Sequence, residues 1–303
     1  MIHNPVLLKE VIEYLDPKPG DKIIDATLDG GGHALAVAEK IGPDGMVLGI
    51  ELDSELFSEA KFKIQNSKFK DNVILVNDSY TNIKKICRDN NFKPNGILFD
   101  LGLSSWHYEK SGRGYSFKKN EPLDMRFNVL SSLTAADIVN TYLKDELERI
   151  LWEYGEEQFS REIAGSIINA RRREPILKTS DLVDAIGQAV PAWYKKRKIH
   201  FATKTFQALR IAVNDELKNV EKGVSEAIDV LELACPEHSR RGGRLAVISF
   251  HGLEDKIVKE IFKKKTQEGE IRFVIKGTIR PSWEEIKTNP RARSAKLKIV
   301  EKI

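Results

Sequence analysis

Three consecutive glycines, followed about twenty positions later by two acidic residues, could bind a nucleoside cofactor. Gly30, Gly31 and Gly32 come after a short apolar strand pattern and before a helix pattern. Because glycine has no Cβ, backbone N–H groups at such a turn can approach a ligand closely. Glu51 and Asp53 follow the next strand pattern, where an acid can accept hydrogen bonds from ribose hydroxyls. This spacing predicts a site for a nucleoside cofactor.

The acidic residues beside the glycines narrow the choice of cofactor. Asp25 at the strand end and Asp29 in the turn would repel a dinucleotide pyrophosphate and attract the cationic sulfonium of S-adenosylmethionine. The turn lacks the Lys-Ser/Thr pair of a P-loop and does not follow the pattern Gly-x-Gly-x-x-Gly. We therefore expect S-adenosylmethionine. A plain tight turn and a nucleotide-dependent oxidoreductase remain the alternatives.

Asp100 is a further acidic residue that could take part in chemistry, because it ends the fourth predicted strand opposite the glycine turn. Methyl transfer is an in-line displacement, so the acceptor nitrogen must be held about 3 Å from the methyl carbon. If the acceptor is an exocyclic ring amine, a carboxylate that accepts its N–H localises the nitrogen lone pair. Asp100 is a candidate for this role or for a cofactor contact, and the alternative is a strand-end aspartate that caps the next turn.

The segment Ser104–Phe127 is predicted to be a long loop in which aromatic and cationic residues are interleaved. This composition suits unstacked bases and a phosphate backbone, and an apolar plug between two domains explains it equally well. Arg113 and Arg126 are the predicted RNA contacts in this loop. Asp124 is a second candidate for handling the target amine.

Short basic runs occur along the chain, whose net charge of +4 means that an anionic partner must be bound by such local clusters. The runs are Arg171-Arg172-Arg173, Lys195-Lys196-Arg197-Lys198, Arg240-Arg241, Lys263-Lys264-Lys265 and Arg291-Ala292-Arg293. One run alone is typical of a solvated helix end, whereas several runs in two predicted domains favour a path for nucleic acid. We predict RNA contacts by Arg291 and Arg293.

Strand and helix patterns alternate in the first part of the chain, which predicts a parallel sheet covered by helices on both faces. The predicted strands are Lys22–Asp25, Met46–Glu51, Val73–Val76, Gly96–Asp100 and, much later, Arg244–Phe250. Two more strands, near Ile271–Lys276 and Ala295–Val300, are expected to close the sheet as an antiparallel hairpin. The expected fold class is α/β, with a doubly wound Rossmann-like sheet.

The long stretch between the fourth and fifth strands is mostly helical by periodicity, although a crossover needs only one helix. Thr134 is expected to cap a helix together with Asp137. The other predicted helices are Lys144–Tyr154, Glu156–Arg173, Ser180–Val190, Thr203–Asn219 and Val224–Cys235. We therefore predict an inserted all-helical substrate-recognition domain over 106–212, with 1–105 and 213–303 forming the cofactor domain. An insertion after strand four is expected over the cofactor crevice.

The cysteines and the lengths of the apolar runs indicate the compartment of the protein and whether it spans a membrane. Cys87 and Cys235 are isolated, as in a cytosolic protein with reduced thiols. The N-terminal residues do not form a signal-peptide pattern, and a membrane span would need an apolar run of about 18 residues, which the chain lacks. We expect a cytoplasmic protein with no membrane partner and no metal ligand.

Together these motifs resemble the bacterial 16S ribosomal RNA (cytosine-N4)-methyltransferases of the H type, nearly from end to end. The matching segments are His3-x-Pro-Val-Leu-Leu-x-Glu10, Asp25-x-Thr-x-x-x-Gly-Gly-His33, Asp100-Leu-Gly-x-Ser-Ser105, Arg113-Gly-Tyr-Ser-Phe117, Pro122-Leu-Asp-Met-Arg126, Tyr154-Gly-Glu-Glu157, Ala202-Thr-Lys-Thr-Phe-Gln-Ala-Leu-Arg-Ile211, Gly242-Gly-Arg-Leu-x-Val-Ile-Ser-Phe-His251, Leu253-Glu-Asp255 and Asn289-Pro-Arg-x-Arg-Ser-Ala-Lys-Leu297. The resemblance implies a class I methyltransferase domain with a helical insertion.

The resemblance also implies residues for the cofactor site and a substrate. The positions that match the family's cofactor contacts are Gly31, Gly32, His33, Glu51, Tyr80, Asp100 and His107. Glu51 stands where the family usually has Asp, with Asp53 as the rival ribose ligand, and His107 stands where it usually has Gln. The implied reaction is N4-methylation of one cytidine in the decoding centre of 16S ribosomal RNA.

The expected partners are 16S ribosomal RNA or the small ribosomal subunit, with a homodimer as a candidate assembly. The alternative functions are a methyltransferase-fold protein that only binds RNA and an N-methyltransferase that acts on another nucleic acid.

Overall fold

A computed structural model describes residues 5–233 and 242–303 of the chain. Cys235 and the basic run Arg240-Arg241 lie outside the described residues. The chain forms two compact units: the sheet unit comprises Met1–Ser104 and Leu217–Ile303, and the helical unit comprises Ser105–Glu216. The assignment of 106–212 to substrate recognition stays a prediction.

The sheet unit contains seven strands in the order β3-β2-β1-β4-β5-β7-β6 among the described residues. The strands are β1 (Lys22–Asp25), β2 (Met46–Ile50), β3 (Val73–Val76), β4 (Gly96–Asp100), β5 (Arg244–Ser249), β6 (Ile271–Phe273) and β7 (Lys296–Lys302). β1 to β5 pair in parallel, whereas β7 is antiparallel to both β5 and β6. The predicted doubly wound sheet and its closing antiparallel hairpin are confirmed.

The helices of the two units follow the chain order. They are α1 (Leu8–Leu15), α2 (Gly32–Ile41), α3 (Ser54–Gln65), α4 (Ile83–Asp89), α5 (Ser105–Glu109), α6 (Ala135–Thr141), α7 (Lys144–Glu153), α8 (Ser160–Arg171), α9 (Thr179–Ala189), α10 (Ala192–Lys195), α11 (Thr203–Asn214), α12 (Glu216–Val230), α13 (Gly252–Gln267) and α14 (Trp283–Thr288). Among the described residues, no helix has the length and apolar character needed to cross a membrane.

Alternate residues of the central strands pack into apolar cores on opposite faces of the sheet. Ile23 and Leu98 belong to one core, and Ile24 and Phe99 belong to the other. Each of these side chains is at most 1% exposed. A parallel strand that is covered on both faces needs apolar residues at successive positions, which is why these strands are continuous apolar runs in the sequence.

The helical unit begins its main bundle with the predicted cap. The Thr134 hydroxyl accepts a hydrogen bond from the backbone N–H of Asp137, and the Asp137 carboxylate accepts one from the backbone N–H of Thr134. This capping box satisfies N–H groups that the first helical turn leaves without partners.

Three predicted helix boundaries in this region are wrong, and one of them is the start at Val224, since α12 already begins at Glu216. The helix predicted from Glu156 begins later, with α8, because Glu156 adopts a left-handed φ of 48°. The helix predicted over Thr203–Asn219 is divided at Asp215, whose φ of 50° ends α11 before α12 begins. An apolar repeat does not show a single left-handed residue, and aspartate is one of the few residue types besides glycine that visits this conformation.

Candidate active site

The turn between β1 and α2 places the start of a helix at the carboxyl end of the sheet. Gly31 caps α2 with a φ of 71°, a left-handed value that favours glycine. At Gly32, a Cβ would lie 3.2 Å from the Pro5 side chain, so the backbone passes close to its neighbour. The first N–H groups of a helix lack intrahelical partners and carry partial positive charge. This turn can therefore donate hydrogen bonds to a ligand.

Glu51, which directly follows β2, is hydrogen-bonded to the backbone of that turn. The residue is 8% exposed, and its Oε2 and Oε1 accept hydrogen bonds from the backbone N–H groups of Asp29 and Asp53, each at 2.9 Å. Burial raises the pKa of Glu51 to about 7, although these two hydrogen bonds act in the opposite direction. A carboxylate oxygen has two acceptor sites, so each oxygen retains one for a ligand hydroxyl.

Asp53, the rival ribose ligand, has a local structural role. Its Oδ1 accepts hydrogen bonds from the backbone N–H groups of Glu55 at 3.0 Å and Leu56 at 3.3 Å. These bonds make Asp53 the N-cap of α3. The same strand end thus carries one acid that joins the glycine turn and one that starts the following helix.

Asp25, His33 and Asp100 form a buried group where β1, α2 and β4 meet. The Nε2 atom of His33 lies 3.5 Å from Oδ2 of Asp100. Burial raises the pKa of Asp25 to about 7, with His33 opposing the shift. Burial alone would lower the pKa of His33, but the charges of Asp100 and Asp25 raise it. When it is protonated, His33 can therefore balance charge on these carboxyl groups.

The acidic cluster, defined as Asp25, Asp29, Glu51 and Asp100, places four carboxyl groups beside one imidazole, so full ionisation of all four would leave negative charge that His33 cannot balance. Burial and the nearby Glu51 also raise the pKa of Asp29. Within the described residues, Oδ2 of Asp25 and Oδ1 of Asp100 are buried and lack a hydrogen-bond partner. Buried polar atoms in native proteins are normally paired. A cationic ligand with hydroxyl and amine donors would satisfy these oxygens, so the cluster fits S-adenosylmethionine.

Two side chains with no role predicted from the sequence stabilise this edge of the sheet. The Thr27 hydroxyl accepts a hydrogen bond from the backbone N–H of Asp100 at 2.6 Å and so links β1 to β4. Lys63, on α3, donates to the carbonyl oxygen of Gly30 at 2.8 Å and fastens the glycine turn. Thr27 lies inside the Asp-x-Thr motif, which was its only sequence signal. Lys63 had none, because an exposed helix lysine looks like any other.

Tyr80 lies next to the same strand ends in the sheet unit. Its ring packs edge-on against Phe99 of β4, with ring centroids 5.3 Å apart. On another side the ring meets α12 at Gly223, where a Cβ would lie 2.5 Å from Cδ2 of Tyr80. The glycine therefore makes room for the ring, which is half-buried. Its predicted contact with adenine stays a prediction.

His107, the last predicted cofactor contact, lies in the helical unit in an aromatic environment. Its ring centroid is 5.5 Å from that of Trp106, 5.3 Å from that of Tyr115 and 5.3 Å from that of Phe127. The side chain is buried at 4% exposure. This packing accounts for the aromatic residues of the loop around His107, while a contact with the cofactor stays a prediction.

Asp124 and Arg126 form a bidentate ion pair within the helical unit. Nε and Nη2 of Arg126 donate to the two Asp124 oxygens at 2.8 and 2.7 Å. Nη1 of Arg126 donates to the carbonyl oxygens of Val129 and Ser131. Burial acts in the opposite direction, but the hydrogen bonds and charge of Arg126 hold the pKa of Asp124 below its usual value. Asp124 is therefore an ionised acceptor in a fixed orientation.

The four arginines predicted to contact RNA differ in their surroundings. Arg113 is only 6% exposed, donates to the carbonyl oxygens of Arg126 and Phe127, and packs over the Trp106 ring. These contacts, with those of Arg126, hold the loop together. Arg291 and Arg293 lie on the short 3₁₀ helix Pro290–Ser294, where Arg293 is exposed and Arg291 is half-buried. RNA contacts by these four residues stay predictions.

Comparison with known proteins gives a consistent result along the whole chain. The sequence pattern of the MraW methylase family matches residues 1–303. The ribosomal RNA small subunit methyltransferase H of Dictyoglomus thermophilum is 44% identical over 303 residues, which cover 99% of this chain and 97% of that relative. The protein of the same name from Thermosipho africanus is 47% identical over 303 residues, covering 99% and 98%. This chain belongs to the MraW methylase family.

Proposed function

We propose that the acidic cluster binds S-adenosylmethionine and that this chain transfers its methyl group to N4 of a cytosine in small-subunit ribosomal RNA. The observation that carries the proposal is the buried, acceptor-rich cluster at the carboxyl edge of the parallel sheet, with the oxygens of Asp25 and Asp100 left for a ligand. Membership of a methylase family and full-length similarity to ribosomal RNA small subunit methyltransferases make this chain an S-adenosylmethionine-dependent ribosomal RNA methyltransferase.

Several residues of the sheet unit would hold the cofactor. Glu51 would accept hydrogen bonds from the ribose hydroxyls, since each of its oxygens keeps one acceptor site beside its backbone N–H. Tyr80 would lie beside the adenine, and the turn at Gly31 would allow close approach of the backbone. When bound, S-adenosylmethionine supplies an electrophilic methyl group on a positively charged sulfur, and the carboxyl groups of the cluster balance that charge.

For the reaction itself, Asp100 and Asp124 are the proposed acceptors for the N–H groups of the target amine. The lone pair of cytosine N4 is delocalised into the ring, so a carboxylate that accepts an N–H helps to localise it. The bond between the methyl carbon and the sulfonium sulfur would break as the N4–methyl bond forms, and S-adenosylhomocysteine would leave. The methylated nitrogen would then be cationic and acidic enough to lose one proton to water without a strong base. Positioning and hydrogen-bond acceptance therefore supply most of the catalysis.

Labelled S-adenosylmethionine tests the proposed reaction directly. The protein is incubated with free small-subunit RNA and, separately, with assembled small subunits that lack the modification, and the RNA nucleosides are identified by mass spectrometry. We expect label in N4-methylcytidine at one position. Label in another nucleoside would contradict the cytosine-N4 proposal, and bound cofactor without transfer would favour a protein that only binds RNA. A parallel NAD titration is expected to show no binding.

We expect Asp124→Asn to lower the single-turnover rate about tenfold, because an amide oxygen accepts an N–H less strongly than a carboxylate does. Affinity for S-adenosylmethionine should be unchanged, as measured by calorimetry. Arg126→Gln is the matched control, because it breaks the same ion pair but keeps the Asp124 carboxylate. Both rates are measured at saturating RNA, because Arg126 is itself a predicted RNA contact. If both variants lose the same activity, Asp124 only shapes the loop and its assignment to the target amine fails.

A further inference from the structure

Phe117 and the consecutive residues His200 and Phe201 form a stack of three aromatic rings at the surface of the helical unit. The ring centroids of Phe117 and His200 are 4.2 Å apart with planes 12° from parallel, and those of His200 and Phe201 are 4.3 Å apart at 26°. His200 is exposed, and the two phenylalanines are half-buried. A stack of flat rings that reaches solvent is a surface on which another flat ring can pack.

The two phenylalanines of the stack pack against helices of the same unit. Phe117 packs edge-on against Phe206 of α11, which is 5% exposed, with centroids 5.6 Å apart. Phe201 lies over Gly187 of α9, where a Cβ would be 3.7 Å from the ring. Partial desolvation of the imidazole between the two phenylalanine rings lowers the pKa of His200, so its imidazole is mostly neutral near pH 7. The rings are thus held in place by the bundle and present a largely uncharged aromatic surface.

Four consecutive cationic residues precede His200 in the chain, with Ile199 between them. Lys195, Lys196, Arg197 and Lys198 are all exposed, and residues 191–201 contain no Asp or Glu. In the part of the chain that the structure describes, none of the four forms an ion pair with an acid, and Arg197 lies over the Tyr194 ring. Their positive charge is therefore available to an anionic partner.

We infer that this stacking surface, defined as Phe117, His200, Phe201 and the run 195–198, binds a single-stranded segment of the RNA substrate. An unstacked base packs on the solvent-exposed part of these rings, and the phosphates on either side of it meet the lysines and the arginine. Aromatic platforms next to cations are the usual means of holding single-stranded RNA. The inference rests on the proposed function, and it names the part of the helical unit that recognises the RNA.

Fluorescence anisotropy with a labelled single-stranded oligonucleotide from small-subunit ribosomal RNA tests this surface. Phe117→Leu/Phe201→Leu removes both outer rings but keeps apolar side chains, and we expect affinity to fall about 5- to 150-fold. Phe117→Tyr/Phe201→Tyr keeps the rings and should bind like the wild type. Trp152→Leu is the control for loss of an exposed aromatic side chain elsewhere in the helical unit, and it should have no effect.

The phosphate contacts are tested by the salt dependence of the same binding reaction. Lys196→Ala/Lys198→Ala should reduce the slope of log affinity against log salt by about 1.4, because each phosphate contact on a single strand contributes about 0.7. Arg172→Ala/Arg173→Ala removes two exposed cations elsewhere in the same unit and should leave the slope unchanged.

Normal RNA binding by the Leu and Lys variants, with unchanged melting temperatures, would overturn the inference. If the Leu variant does not fold, His200→Ala takes its place, because that side chain is exposed. The proposed function is tested separately, by measuring methyl transfer with the wild-type protein. If the wild type transfers methyl groups but the variants bind RNA normally, only the inferred RNA-binding role of the stacking surface is refuted. If RNA binding depends on the stacking surface but the wild type transfers no methyl group, only the proposed reaction is refuted.

Discussion

Replacing Glu51 by alanine is expected to weaken S-adenosylmethionine binding by about two to four orders of magnitude. The variant loses two hydrogen bonds from ribose hydroxyls to a charged acceptor, each worth about 1.5–3 kcal/mol. It also leaves the backbone N–H groups of Asp29 and Asp53 without the carboxylate that now accepts from them. Isothermal titration calorimetry with S-adenosylmethionine measures the change.

Asp53→Ala is the matched control for this experiment. Asp53 is an acid from the same strand end, but its oxygen caps α3. Its loss should lower the free energy of unfolding by about 1 kcal/mol and leave cofactor affinity nearly unchanged. The opposite pattern, with affinity lost in Asp53→Ala and kept in Glu51→Ala, would make Asp53 the ribose ligand.

Affinity for S-adenosylmethionine is expected to rise steeply between pH 5 and pH 7 and to level off above that. Burial raises the pKa of Asp25 and of Glu51 to about 7 in the free protein. A cationic sulfur and hydroxyl donors favour the ionised carboxylates, so binding below pH 7 must release protons. Each released proton changes the affinity by about tenfold per pH unit. Calorimetry in buffers of different ionisation enthalpy counts the protons.

The same groups make the free protein less stable as the pH rises. Unfolded Asp and Glu titrate near pH 4, whereas Asp25 and Glu51 titrate near pH 7 in the fold. Between these values the folded chain binds more protons than the unfolded chain, so their contribution is most favourable below about pH 4 and declines by a few kcal/mol up to pH 7. Asp25→Asn should remove part of this pH dependence of stability.

The same variant tests the binding prediction. If Asp25→Asn releases as many protons as the wild type on binding S-adenosylmethionine, Asp25 does not titrate with binding.

Local patterns were sufficient to predict most of the sheet unit. The strands ending at Asp25 and Asp100 are apolar runs because both faces of the sheet are covered, and such burial is visible in the order of residues alone. The same is true of the cap at Thr134, since a capping box is made by residues three positions apart. The α/β class, the antiparallel closing strands and the acids at the strand ends all follow from short-range spacing.

Contacts between distant residues needed the tertiary structure. Glu51 and Asp53 are equivalent ribose candidates in the sequence, and only the fold shows that one joins the glycine turn while the other caps α3. Arg113 looks like a surface cation in the sequence but is buried against backbone carbonyls. Neither distinction leaves a local signal, because both depend on which groups the folded chain brings within hydrogen-bond distance.

The sequence by itself therefore determined the fold class, the cofactor and the family of this protein, because these depend on periodicity and on short motifs. The tertiary structure alone decided the helix break at Asp215, the pairing of His33 with Asp100, and the meeting of Phe117 with His200. A left-handed residue, a shifted pKa and a stack of rings depend on packing among segments far apart in the chain. The order of residues does not specify that packing locally.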